Sequence, residues 1–326
     1  MKALIIDKMS ELIKPELEKM GFEVDFVMLP TSEKLAEIIA PYDLLCMRVD
    51  PFITDEVIDA ATNLKAIMVG STGLNHIKSS YYDKAAKVIK TKDGREIPVK
   101  NSPGQNANAV AELVFCKALD IYRHSVEANN EVKYKRIWNK YRWEGRELRN
   151  KTMGIIGFGA IGRRVAEIAN VFHMDVIAYD AFIPAEKNPM PETVKMVDDV
   201  KELIKEADII TLHVPLTPDT KDMISFEEMK SMKDEAVIIN AARGGVVNEE
   251  ALYENLMNGK LMGANIDTIS NELGSGGLDT QDVPVESVLF KPENLYVTPH
   301  IGGSTRDAQD DIGRIVIGNV KEVFNI

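Results

Sequence analysis

Gly157, Gly159 and Gly162 stand in the segment TMGIIGFGAIGRRVAEIA with the spacing G-x-G-x-x-G. That spacing suits a polyphosphate. The first glycine allows a tight turn, the second lets the backbone approach a pyrophosphate, and the third lets a helix pack closely on a strand. A helix opened by Ala160, Ile161 and Gly162 would point free N–H groups and the positive end of its dipole at the phosphates. Eighteen residues past Gly162, the run VIAYD ends in Asp180. A carboxylate there accepts hydrogen bonds from both ribose hydroxyls and repels a 2′-phosphate, so the pattern points to NAD rather than NADP. Three more residues follow later apolar runs: Arg243 after AVIINAA, Glu272 beyond MGANIDTIS, and His300 after LYVTP. Hydride transfer between a nicotinamide and a 2-hydroxy or 2-keto acid needs a cation, an acid–base group and a partner for that group. The forked guanidinium of Arg243 suits a carboxylate and a polarised carbonyl. The imidazole of His300 titrates near neutrality, and the carboxylate of Glu272 would favour its protonated form and fix its tautomer.

These residues must be held by strands. Twelve short apolar runs alternate with amphipathic helical patterns, at 3–7, 24–29, 43–48, 66–71, 97–102, 152–157, 175–180, 194–198, 208–214, 236–242, 262–267 and 295–300. They are continuously apolar rather than alternating, as parallel strands buried on both faces are. Helices are expected at 10–21, 32–40, 199–207 and 248–259, the last capped by Asn248 and stopped at Gly259. The fold class is α/β, two doubly wound parallel-sheet domains. A hairpin around Asp93-Gly94 interrupts the rhythm at 90–99. In such sheets the carboxyl ends of the strands converge on the ligand crevice, which is where Arg243, Glu272 and His300 fall.

Composition narrows the class. The length suggests about two domains at roughly 150 residues each, and the apolar share of 45% and charged share of 28% are those of a globular protein. A net charge of −12 works against nucleic-acid binding, although the stretch at 129–148 is basic and aromatic. Cys46 and Cys116 have no metal-ligand spacing and no disulfide framework, so no metal is expected and the compartment is a reducing, cytoplasmic one. No run approaches the roughly 20 apolar residues of a membrane span.

The segments GIIGFGAIGRRVAEIA, HVPLTPDTKDMI, INAARGGVVNEEAL and TPHIGGSTRDAQ, in that order, resemble the successive signatures of the D-isomer-specific 2-hydroxyacid dehydrogenases. The resemblance implies catalytic roles for Arg243, Glu272 and His300, and a nicotinamide carboxamide contact for Asp267. It places His213, Val214, Pro215, Ala242 and Gly302 along the cofactor, and Arg48, Ser71, Thr72, Gly73 and Asn106 on the substrate carboxylate. It also implies a cofactor domain, 103–299, inserted into a substrate domain of 1–102 and 300–326. The chain departs from the family pattern in three places. The Glu272 loop reads DTISNEL and lacks its usual proline, Asn75 and Lys78 replace acidic residues, and the 90–99 hairpin is an insertion.

Within the family, TPHIGGSTRDAQ, NAARGGVVNE and the Arg48 strand end are most like phosphoglycerate dehydrogenases, which implies 3-phosphoglycerate as substrate, with Lys140 and Arg142 meeting its phosphate. A hydroxypyruvate or glyoxylate reductase is the alternative enzyme, and a non-enzymatic NAD-sensing corepressor the alternative of another class. The family resemblance implies a homodimer. With the sequence ending at Ile326, a C-terminal regulatory domain, and feedback through one, are not expected.

Overall fold

The computed structural model describes residues 1–270 and 286–326. All twelve expected strands are present, in two sheets, together with two short extra ones. In chain order they are β1 (Lys2–Ile5), β2 (Glu23–Phe26), β3 (Leu44–Met47), β4 (Ala66–Val69), β5 (Tyr82–Asp83), β6 (Val88–Lys90) and β7 (Glu96–Asn101). The second series is β8 (Thr152–Ile156), β9 (Asp175–Tyr179), β10 (Lys195–Val197), β11 (Ile209–Leu212), β12 (Ala236–Asn240), β13 (Leu261–Ile266) and β14 (Leu295–Val297).

The chain divides into two compact units. Among the described residues, the first comprises 1–106 and 304–326, and the second 107–270 and 286–303. The first sheet runs β2-β1-β3-β4-β7-β6-β5, parallel except for the antiparallel pairs β5–β6 and β6–β7. Period-two alternation is visible in its core. Leu4, Leu45, Met47, Ile67 and Val69 face one apolar layer with Leu35, Val57 and Ile58 of the helices Ser32–Ile38 and Asp55–Ala60. Ala3, Ile5, Leu44, Cys46, Ala66 and Met68 face the other, with Ile13 and Leu17 of helix Ile13–Lys19 and Ile312, Val316 and Val320 of helix Arg306–Phe324. Burial on both faces is why these runs are uniformly apolar.

The second sheet, β10-β9-β8-β11-β12-β13-β14, is wholly parallel. One face packs on helices Val200–Glu206 and Glu249–Met257, the other on helices Ala107–Arg123 and Ala160–Val171. The Asn248 side chain caps its helix by accepting from Ala251 N at 2.9 Å, and Gly259 ends it at φ +78°. The unit boundaries differ from the expected 102/103 and 299/300 for physical reasons. Residues 103–106 precede the helix that packs on the second sheet's layer, and residues 300–303 are tied to β13 by hydrogen bonds described below.

Candidate active site

The glycine turn between β8 and helix Ala160–Val171 gives each glycine a separate reason. Gly157 has φ +94°, and a Cβ there would sit 2.6 Å from the His213 carbonyl oxygen at the exit of β11. A Cβ on Gly162 would sit 2.2 Å from the Gly157 carbonyl oxygen. Around Gly159, the N-cap of the helix, a Cβ would meet nothing within 4 Å, and no side chain caps the helix there. Two glycines are thus fixed by packing. The third faces open space beside unspent amides, which is the arrangement a pyrophosphate needs.

Asp180 follows β9, half-buried. Its Oδ2 accepts from Phe158 N at 2.7 Å and its Oδ1 from Phe182 N at 2.9 Å, so the carboxylate is fastened to the glycine turn itself. Each carboxylate oxygen can accept more than one hydrogen bond, so capacity for a ribose diol remains. His213 lies 3.0 Å from Thr211 Oγ1 through Nε2, while its Nδ1 is buried without a partner. Burial pushes its pKa down to about 3, so the ring is neutral at working pH. Val214 follows half-buried and Pro215 exposed.

Arg243 is positioned by Asn240, the last residue of β12 and almost wholly buried. Asn240 Oδ1 accepts from Ala242 N at 3.0 Å and its Nδ2 donates to the Arg243 carbonyl at 2.9 Å. The Arg243 guanidinium donates to the Ala242 carbonyl at 2.6 Å, and a Cβ on Gly244 would lie 2.1 Å from the Ile269 carbonyl oxygen. Sequence reasoning did not single out Asn240. The signal was present as an amide ending an otherwise apolar buried strand.

Asp267, at the end of β13, is buried and organises the next strand's exit. Its Oδ1 accepts from Thr298 Oγ1 (2.6 Å) and Ile301 N (2.9 Å), and its Oδ2 from Gly302 N (2.8 Å). Its backbone carbonyl accepts from His300 N at 2.8 Å. A Cβ on Gly302 would press to 2.9 Å from Asp267 Oδ2. His300 itself is exposed and held at φ +51°. Asp267, implied as a carboxamide contact, thus also fixes the backbone that carries His300.

Register brings these groups to one edge. Asn240 pairs with Ile266, and Ile266 with Val297, so Arg243, Asp267 and His300 leave adjacent parallel strands on the same side. With neighbouring strands about 4.8 Å apart, the outer two of the three are roughly 10 Å apart. Glu272 lies outside the described residues. Among the described residues, no group of three or more His, Cys, Asp and Glu could hold a metal ion.

The first unit contains the remaining residues. Arg48 follows β3, its Nε buried without a partner. The buried Asp7 accepts from Arg48 N (3.2 Å) and Val49 N (3.3 Å), and burial raises its pKa against the opposing pull of the Arg48 charge. Ser71 Oγ lies 2.9 Å from the Gly73 carbonyl and 3.2 Å from that of Arg48. Thr72 accepts from Asn101 Nδ2 at 2.7 Å, and Asn106 is half-buried at the unit's edge. In the second unit, Arg142 is engaged by the buried Glu131 at 2.6 Å, which also accepts from Trp143 Nε1, and Lys140 stands 5.1 Å from the Tyr141 ring centre.

Residues 115–302 match the D-isomer specific 2-hydroxyacid dehydrogenase, NAD binding domain family. The chain is 37% identical over 325 residues to a D-3-phosphoglycerate dehydrogenase of Methanocaldococcus jannaschii, covering 99% of this chain but only 57% of that protein. It is 39% identical over 295 residues to a hydroxypyruvate reductase of Thermotoga maritima, covering 90% of this chain and 87% of that one. Among solved structures, the D-lactate dehydrogenase of Aquifex aeolicus complexed with NAD and lactic acid superposes with a TM-score of 0.79 at 26% identity, covering 100% of this chain and 96% of the other.

Proposed function

The chain belongs to the D-isomer specific 2-hydroxyacid dehydrogenases, and on that premise we propose that it interconverts a 2-hydroxy acid and its 2-keto acid with NAD, 3-phosphoglycerate and 3-phosphohydroxypyruvate being the favoured pair. One observation carries the reading. The sheet whose first turn forms the open glycine cradle also sends Arg243 and His300 out of its carboxyl edge, from strands two places apart.

Bound NAD supplies the hydride acceptor, and NADH the donor. The chain's own residues do the rest. Gly159 and the uncapped amides after it receive the pyrophosphate, and Asp180 receives the ribose hydroxyls. Arg243, held by Asn240, draws the substrate carboxylate and stabilises negative charge on the reacting oxygen. His300 takes the hydroxyl proton on its ring nitrogen as the carbon gives up hydride, and returns that proton when a keto acid is reduced. Glu272 is the proposed carboxylate partner that favours the protonated ring. Arg48, Ser71, Thr72, Gly73 and Asn106 are proposed for the substrate acid.

A second reading, hydroxypyruvate reduction, is favoured by the similarity to the Thermotoga enzyme across most of that protein's length. The protein is further proposed to act as a homodimer in the cytoplasm. No helix among the described residues is long and apolar enough to cross a membrane. Tyr134, Trp138 and Tyr141 are 74%, 87% and 84% exposed within the basic segment, a surface suited to the acidic body of a second copy. The test is NADH consumption by purified protein against a panel of 2-keto acids, with sedimentation for the oligomer. If no keto acid is reduced, the dehydrogenase reading falls.

A further inference from the structure

The turn that leads into the hairpin of β6 and β7 brings a lysine to the edge of the first sheet. That turn is locked by Asp83, whose Oδ1 accepts from Ala85 N and Ala86 N at 3.1 Å each. Lys87 then takes φ +52°, and its carbonyl accepts from Val99 N at 2.8 Å. With its backbone fixed, the Lys87 side chain donates through Nζ to Asn101 Oδ1 at 2.9 Å. Asn101 in turn donates to the Thr72 carbonyl at 2.7 Å. Because β6 runs antiparallel to β7, its beginning lies at the carboxyl end of β7, and β7 pairs with β4, which pairs with β3. Lys87 is therefore carried to the edge where Arg48 and Ser71 to Gly73 leave their strands.

Several cations around Lys87 are already paired. Lys90 pairs with Asp83, Lys92 with Asp59, Arg95 with Asp93, Lys100 with Glu322 and Lys65 with Asp43. Among the described residues Lys87 has no carboxylate within salt-bridge distance. Its ammonium spends one of three donors on Asn101 and keeps two. A second observation points the same way, since the buried Arg48 Nε at the end of β3, three strands along the same sheet edge and so roughly 14 Å away, also lacks a partner. In the second unit the Arg142 guanidinium is paired with Glu131.

We propose that Lys87 is a specificity-determining residue that favours substrates bearing a second anionic group, a phosphoryl group at the carbon beyond the 2-keto acid. This rests on the dehydrogenase reading above. The experiment compares wild type, K87Q and K87R with NADH and two keto acids, hydroxypyruvate and 3-phosphohydroxypyruvate. The readout is the ratio of their KM values, with NADH affinity measured alongside. Loss of one charge-assisted hydrogen bond is expected to raise the phosphorylated-to-unphosphorylated KM ratio about tenfold in K87Q, with K87R near wild type. A K87Q ratio equal to wild type overturns the inference, as does an equal rise of both KM values. Hydroxypyruvate turnover by wild type keeps the family reading standing in either case. If wild type reduces neither acid, that reading fails and the inference falls with it.

Discussion

Alanine at Gly159 and alanine at Gly162 should have opposite consequences, although both glycines belong to one motif. A methyl group on Gly162 falls 2.2 Å from the Gly157 carbonyl oxygen and 3.1 Å from Ile155 Cγ2, so helix and strand must part by about 1 Å to reach ordinary contact. Overpacking of that kind costs about 1–3 kcal/mol. In a domain of this size that lowers Tm by roughly 3–10 °C. At Gly159 the same methyl meets nothing within 4 Å, and the backbone there, φ −75°, is one alanine adopts. Alanine's lower chain entropy in the unfolded state stabilises by about 0.4–1 kcal/mol, while its weakness as an N-cap costs a similar amount. Tm should therefore move by no more than about 2 °C. NAD affinity should nevertheless fall at least tenfold, about 1.4 kcal/mol, because the methyl takes the space the pyrophosphate needs. Thermal melts without cofactor and NADH fluorescence titrations separate the two effects. A Gly159→Ala protein that binds NADH as tightly as wild type would refute the cradle, and one that melts far below wild type would refute the open space.

Arg243→Ala should lower kcat/KM for every accepted keto acid by about 3 kcal/mol, and Asn240→Ala should lower kcat with little effect on NADH affinity, because Asn240 acts through Arg243. If steady-state kinetics show neither, Arg243 is not the electrostatic group. Asp180→Ala should weaken NADH binding and narrow the preference over NADPH, since it removes both the ribose acceptor and the anchor of Phe158 N–H. Cofactor titrations with an unchanged NADH-to-NADPH ratio would assign the ribose to another group. His76 is buried with an unpartnered Nε2, and burial, helped by the Lys78 charge, pushes its pKa from 6.5 down to about 4. Below pH 6.5 the unfolded chain binds a proton that the folded chain refuses, so stability is present above 6.5 and lost as pH falls toward 4, by up to about 3 kcal/mol. His213 acts in the same sense. Denaturant unfolding of His76→Gln between pH 4 and 7 should show a shallower slope than wild type. Identical slopes would mean that His76 is not the source.

Much of this was legible in the residues. Runs such as DLLCMR and AVIINAA became strands because both faces of each sheet are covered, and that burial writes itself as unbroken hydrophobicity. The glycine spacing told the turn from the residues alone because φ +94° at Gly157 and the contact at Gly162 exclude side chains. What escaped was tertiary in origin. Asn240 shows only as an amide ending an apolar run, and nothing local marks Asp267 as a residue that shapes its neighbours' turns. Asp267 binds residues 31 to 35 positions away, and only strand adjacency makes them partners. The reach of Lys87 to Asn101 likewise needed the antiparallel pairing of β6 with β7, which a turn signal at Asp93-Gly94 announces without giving its register.

The return of the chain to its first unit has a consequence for how the molecule is made. Helix Arg306–Phe324 supplies Ile312, Val316 and Val320 to the layer beneath β1, β3 and β4, Ser10 donates to Asp310 at 2.7 Å, and Lys100 pairs with Glu322. These groups leave the ribosome some 200 to 300 residues after the strands they cover. A chain synthesised at roughly 5–20 residues per second therefore carries one partly covered face of its first sheet for ten seconds or more, and the inserted unit receives its last strand, β14, before the covering helix emerges. Maturation should run from the inside of the sequence outward. The first-born strands are the last to be sheltered, and the C-terminal helix acts as the latch whose arrival ends their exposure to aggregation and to chaperones.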